Sequence, residues 1–443
     1  MVKRPAPSGT VKLAELPSAC PTPGYGAADR ADLFWAGVRS VSTGQVALSW
    51  ISRTSIERYR SAGVKQVIQL GDQAAALDRV CGRRRRLDAL GAIHLWRTVS
   101  SEQIAAIIDS PLTGSSRSVD LRTLLAAGLV QRGTAFAGTR RGIVTDLWRP
   151  DILARSIRFE DRLSYAEWLG VYAGQEWSWG AQAGWHNLLA TELSLRVAEL
   201  TPIGTVLGEL LAGERQLCPD NGKLERSRRS ADAVWVRPDG LRIVVEATAT
   251  ATASLRQRVD RWIEALLADD ERSTVVLFVD VSDPDNHQSR PDLLMRRVLL
   301  NAATATPERV AAGIAERLCF ARYRDWFPGP GLVHPSFLGL RVERPTGRPS
   351  ARSADITGGR PRPRWEHVDL LDPYAVPFAP EDPEAALAPI VHAGNLYGVP
   401  YWLRGPGLDL DGVVRRLAGF PPPARLAPER RAELVARLSA RAG

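Results

Sequence analysis

Two carboxylates stand where strands are expected to begin and end. Ala231-Asp232-Ala233-Val234-Trp235-Val236 reads as a strand with Asp232 near its start. Leu241-Arg242-Ile243-Val244-Val245-Glu246 reads as an apolar strand closing on Glu246, and Arg237-Pro238-Asp239-Gly240 between them has hairpin chemistry. Carboxylates at neighbouring strand ends supply the oxygen ligands that a hard divalent cation takes. Glu192, on a helix expected from His186 to Leu200, is a third candidate carboxylate. Arginine is the other chemistry-bearing residue. Ser115, Ser116, Arg117, Ser118 and Arg122 fall at the start of an expected helix, and Arg140-Arg141 at an expected hairpin tip. Small hydroxyl residues let a helix approach the major groove, and arginines reach phosphate or guanine. Arg256, Arg258 and Arg261 lie on an expected helix after Glu246. The run Arg83–Arg86 reads as a solvated helix end or a phosphate contact.

The elements that must carry these groups are legible from their spacing. Ser100-Ser101-Glu102-Gln103 is a helix start, followed by Ile104, Ile107 and Ile108 on one face and a stop at Ser110-Pro111. A helix over Ser118–Ala127 buries Leu121, Leu124 and Leu125, and Gly128 is its expected C-cap. Leu129–Arg132 and Ile143–Trp148 read as the two strands of a hairpin. A helix over Ser254–Leu267 buries Leu255, Val259, Trp262, Ile263 and Leu266, and a strand over Thr274–Val279 ends at Asp280. The expected fold class is α/β (α+β). Its expected parts are a flexible arm (1–29), a helical N-terminal region (30–97), a helix-turn-helix with hairpin (98–149) and a Trp-rich connector (150–185). A mixed sheet flanked by helices (186–330), a Pro/Arg-rich linker (343–383) and a small C-terminal unit (384–443) complete the chain.

Composition excludes several classes. The chain has 443 residues, 44% hydrophobic and 24% charged, enough to bury a sizeable core. Lys+Arg total 58 against 49 Asp+Glu, a net charge of +9 that permits a polyanionic partner. Lysine occurs only at Lys3, Lys12, Lys65 and Lys223. Cys20, Cys81, Cys218 and Cys319 show no zinc spacing and no disulfide framework, so a cytoplasmic location is expected. No signal peptide or membrane span is expected. There is no P-loop, no GxGxxG after a strand and no HExxH, and the six histidines are scattered.

The order of helix, turn, helix and hairpin over 98–149 resembles a winged helix-turn-helix, with Leu124–Arg132 matching the "L–x–x–x–G–L–V–x–R" exit of that family. The resemblance implies duplex DNA binding through Ser115, Ser116, Arg117 and Arg122, with Arg140 and Arg141 on the wing. The order from His186 to Asp280 resembles the restriction-endonuclease-like PD-(D/E)xK core. That resemblance implies Mg²⁺ held by Asp232, Glu246 and Glu192, activating water for phosphodiester cleavage. Thr248 stands where the superfamily places its lysine. Arg256, Arg258 or Arg261 could replace the charge but not the proton transfer. Together the two segments resemble the replication-relaxation family of plasmids and integrative elements. This implies a DNA-binding role in replication, transfer or maintenance of a mobile element, with double-stranded DNA and other replication or transfer proteins as partners. A Mg²⁺-dependent endonuclease or nickase, and a transcriptional regulator or protein-interaction scaffold, remain the alternatives.

Overall fold

The computed structural model describes residues 9–20, 22–38, 46–61, 77, 82–108, 119–137, 146–155, 159–178, 184–213, 230–249, 253–282, 291–346 and 365–404. Strand β1 (Val11–Lys12) is followed by β2 (Val46–Ile51), helix α1 (Arg53–Ser61), α2 (Arg83–Trp96), β3 (Val99–Ser100), α3 (Ser101–Ile108) and α4 (Val119–Ala126). The hairpin β4 (Val130–Ala137) and β5 (Asp146–Pro150) comes next. A four-stranded antiparallel sheet runs β2-β4-β5-β3. Helix α3 starts as expected: Ser100 Oγ accepts the Gln103 N–H at 3.1 Å, and Gln103 Oε1 accepts the Ser100 N–H at 3.0 Å. This reciprocal cap satisfies donors the helix leaves open. Gly128 ends α4 at φ 76°, with its N–H and that of Leu129 returning to Leu125 and Leu124. Only glycine takes that left-handed turn without strain.

The larger sheet has seven strands. It is built from β6 (Thr205–Gly208), β7 (Ala233–Val236), β8 (Arg242–Thr248), β9 (Thr274–Asp280), β10 (Leu318–Arg322), β12 (Arg341–Pro345) and β13 (Trp365–Asp369), in the order β13-β12-β10-β9-β8-β7-β6. β6 to β8 form an antiparallel meander, β8, β9 and β10 are parallel, and β12 and β13 are antiparallel again. β11 (Leu332–Val333) pairs instead with β1. β9 is buried along its whole length, which is why residues 275–279 between Thr274 and Asp280 are continuously apolar. Helix α5 (Tyr165–Tyr172) precedes α6 (Gly184–Leu200), which lies on one face of the sheet, with Trp235 Nε1 donating to Ser194 Oγ at 2.9 Å. Helices α7 (Ala253–Leu267) and α8 (Pro291–Ala303) follow. α7 covers the opposite face, where Trp262 on α7 meets Glu246. The protein is thus of mixed α/β class. Among the described residues no helix is long and apolar enough to cross a membrane.

Four expectations about organisation are corrected. Residues 9–20 and 22–38, expected in a flexible arm and a helical region, are fastened to the rest: Leu13 is buried, Arg30 is buried between Glu192 and Glu199 on α6, and the Ala27 N–H donates to Glu199. The "helical" region 30–97 also contains β2, whose Trp50 lies over Gly133 on β4, close enough that a Cβ there would sit 2.6 Å from the ring. Residues 343–345 and 365–369, expected in a linker, belong to the outer strands of the large sheet, where Arg344 pairs with Glu366 at 2.6 Å. Pro345 comes only at the end of β12, and Arg344 is paired with an acid on β13, so neither interrupts the strand. Finally, helix α9 (Pro383–Ala393) and residues 394–404 are no separate unit. Tyr397 packs against Gly91 and Gly170, Trp96 Nε1 donates to the Gly398 carbonyl at 2.8 Å, and Arg404 pairs with Asp88 at 3.1 Å.

Candidate functional site

Asp232 and Glu246 do meet. Asp232 precedes β7, and its N–H donates to the Val245 carbonyl on β8 at 3.0 Å. Its own Oδ2 accepts the Ala247 N–H at 2.7 Å. Burial, the Glu246 charge and the nearby Glu209 raise the Asp232 carboxyl well above the usual range, against the Ala247 hydrogen bond and Arg258. Glu246 is buried, and both its oxygens are engaged: Oε1 accepts Trp262 Nε1–H at 2.8 Å, and Oε2 pairs with Arg258 Nη1 at 3.0 Å. Arg258 Nη2 also reaches Thr248 Oγ1 at 3.5 Å. The guanidinium from α7 therefore sits between the Glu246 carboxylate and the Thr248 hydroxyl. Residues 256 to 262 occupy consecutive turns of one helix, so a residue one turn from Trp262 reaches the same carboxylate.

Residues that sequence reasoning passed over complete the cluster. Glu209, on a short turn closing β6, accepts from Asn187 Nδ2 and from Ser230 Oγ, the latter at 3.3 Å. Its signal was the short apolar run Thr205-Val206-Leu207 closed by Gly208 and a carboxylate. His186 stands at the start of α6. Burial and the Arg258 cation push it down to about 4, with a hydrogen bond to the Ala247 backbone working the other way.

Other expected site residues lie elsewhere. Glu192 does not join Asp232 and Glu246. It is buried in pairs with Arg30 and Arg196, each at 3.1 Å, and is not available as a third metal carboxylate. Arg256 is exposed on α7, while Arg261 is half-buried and donates its Nε to the Gln257 carbonyl at 3.2 Å. Arg122 is half-buried on α4. Ser115, Ser116, Arg117, Ser118, Arg140 and Arg141 lie outside the described residues, as does the basic stretch Arg226–Arg229. The run Arg83–Arg86 is a helix start whose Arg84 and Arg85 are exposed, as a solvated end would be, yet every member is ion-paired. Arg83 pairs with Glu167, Arg84 with Asp88, and Arg85 and Arg86 both with Asp120.

The donor set does not suit a resident Mg²⁺. A cation at Glu246 would share that carboxylate with a guanidinium already 3.0 Å away. Among the described residues, no group of three or more His, Cys, Asp or Glu side chains is arranged to hold a metal ion. What the cluster does is neutralise two buried carboxyls with an arginine, an indole N–H and a raised proton affinity. No family model, no curated protein and no solved structure matches the chain.

Proposed function

We propose that this chain is a DNA-binding protein of a mobile genetic element, acting in replication, transfer or maintenance, and that its nuclease-like domain does not cleave. The observation that carries the DNA reading is the order of the first unit. Helix α2, strand β3, helices α3 and α4, then the hairpin β4–β5 with β3 against β5, is the layout expected of a winged helix. In that reading the N-terminal end of α4 and the hairpin tip meet the duplex. The meander β6–β8, helix α7 and parallel β9, following helix α6, support the nuclease-like reading of the second unit. Arg258 supports its inactivity: it holds Glu246 where a metal would sit and, as an arginine, transfers no proton at neutral pH. The mobile-element setting rests on the family resemblance.

Duplex affinity measured against salt tests the reading. The logarithm of the binding constant is expected to fall linearly with that of salt, and Arg117→Ala and Arg140→Ala to weaken binding and flatten the slope. A flat slope, or variants that bind like the parent, overturns DNA binding and favours a scaffold. Supercoiled plasmid with Mg²⁺ or Mn²⁺ is expected to stay intact. Nicking that disappears in Asp232→Ala and Glu246→Ala would instead establish an endonuclease.

A further inference from the structure

The register of the large sheet aligns Glu246, Phe278, Phe320, Glu343 and His367 across β8, β9, β10, β12 and β13. Thr248, Asp280 and Arg322 align one step further along. Paired residues share a face of a sheet. The face that carries Glu246 therefore continues, past two phenylalanines, into a second polar region. That region is a cavity of about 320 Å³. It lies at the C-terminal ends of the parallel strands, where open α/β sheets place their ligands. Two strand spacings, about 10 Å, separate β10 from β8.

The lining is a set of donors. Its two acids are already engaged: Asp325 accepts from Arg322 Nε at 2.7 Å, and Glu343 pairs with Arg296 at 2.5 Å. Arg324, half-buried near the Asp280 carboxyl, and Arg341, exposed, line the cavity, and neither side chain makes a hydrogen bond or ion pair among the described residues. His334 lines it too. The Ser336 N–H donates to His334 Nδ1 at 3.2 Å, so the neutral ring carries its proton on Nε2 and remains a donor. Two planar guanidinia and an imidazole N–H, with the acids committed elsewhere, match the oxygens of a phosphate. The cavity falls in the size range of small-molecule sites, about 300–1,000 Å³, so there is room for more than the phosphate alone.

We propose that this cleft binds the phosphate monoester of a nucleotide, through Arg324, Arg341 and His334. The nucleotide is either a free mononucleotide or the phosphorylated end of a strand. The proposal does not depend on duplex binding by the first unit. Calorimetric titration of the full chain at low salt distinguishes the sources, using inorganic phosphate, a deoxynucleoside 5′-monophosphate, and a short oligonucleotide with a 5′-phosphate or a 5′-hydroxyl. Binding of the monophosphate identifies a free nucleotide. Binding of the 5′-phosphorylated strand, about tenfold tighter than its 5′-hydroxyl form, identifies a strand end. Arg324→Gln with Arg341→Gln is expected to weaken either by at least about tenfold while leaving the melting temperature in place. Arg341→Gln alone, at an exposed position, carries the test if the double variant loses its fold. Arg117→Ala and Arg140→Ala should leave this binding untouched, which separates it from the duplex reading. No heat with any nucleotide, binding of inorganic phosphate only, or affinity unchanged in the arginine variants overturns the proposal.

Discussion

At Asp232 a carboxyl is held in a place that favours its protonated form. Its folded-state proton affinity exceeds that of the unfolded chain, whose value is about 4. Below that value both states are protonated and the group is neutral to stability. As the pH rises from the unfolded value to the folded one, the unfolded chain ionises while the folded carboxyl holds its proton, so stability falls over that window and is level above it. Asp232→Asn keeps an acceptor for the Ala247 N–H and removes the charge. It is therefore expected to raise the melting temperature at pH 7 by about 2 °C or more, with the gain vanishing near pH 4. Calorimetry at the two pH values in EDTA checks this; a loss at pH 7 would mean the carboxylate is held ionised. The Asp232–Glu246 pair was legible in sequence because the turn at Arg237–Gly240 sets a hairpin register in which Ala233 faces Val245, bringing the residues beside them together. Glu192 was misleading for a physical reason. Its helix is buried nearly all round, so its carboxylate turns to the arginines of residues 30 and 196 rather than to the sheet edge. Glu209 was missed because a four-residue strand carries too little periodicity to be noticed.

At the scale of elements, α2 is fastened by its first turn. Arg86 is buried and Arg85 largely exposed, yet both reach Asp120 on α4, at 3.1 and 3.0 Å. Removing Asp120 takes from the buried Arg86 the carboxylate it meets at 3.1 Å, whereas removing Arg85 leaves that pair in place. Asp120→Asn is expected to cost about 3 kcal/mol, and Arg85→Ala no more than about 1 kcal/mol. Urea unfolding of both variants decides; equal costs would show that the run acts as a diffuse charge instead. Helices α3, α4, α6 and α7 and strands β7, β8 and β9 were all anticipated within a few residues, since their apolar spacing is set by the faces they bury. β2 escaped because residues 30–97 read as helical, and pairing with distant β4 overrides local preference. β12 and β13 escaped because they are five-residue strands overlapping a 343–383 stretch whose overall Pro, Arg and Gly content is that of a linker.

For the whole molecule, the close contacts of residues 395–404 tie the helix–hairpin unit to the rest. A Cβ at Gly170 would come within 2.5 Å of the Tyr397 ring. Gly170→Ala is accordingly expected to destabilise the entire chain by about 1–3 kcal/mol as the ring is displaced. A single cooperative transition at lower denaturant is the expected readout; an unchanged midpoint would mean the segment adapts freely. The net charge of +9 also takes a new meaning at this scale. The arginines of the 83–86 run, with Arg30, Arg196, Arg258, Arg344 and Arg404, are committed to internal pairs. A basic total is therefore a poor map of where a polyanion would bind.

The same contacts impose a timetable on synthesis. Trp96 waits for a carbonyl 302 residues downstream, and Asp88 for an arginine 316 residues downstream. At ~5–20 residues per second, that interval is roughly 15–60 s. For that time the nascent helix–hairpin unit has its strands and helices but lacks its cover, and the ridge from Gly91 to Leu95 stands bare. A chain halted before residue 395 would be a long-lived species with an apolar seam exposed, a natural client for chaperones and proteases. The first unit to be made is among the last to be finished.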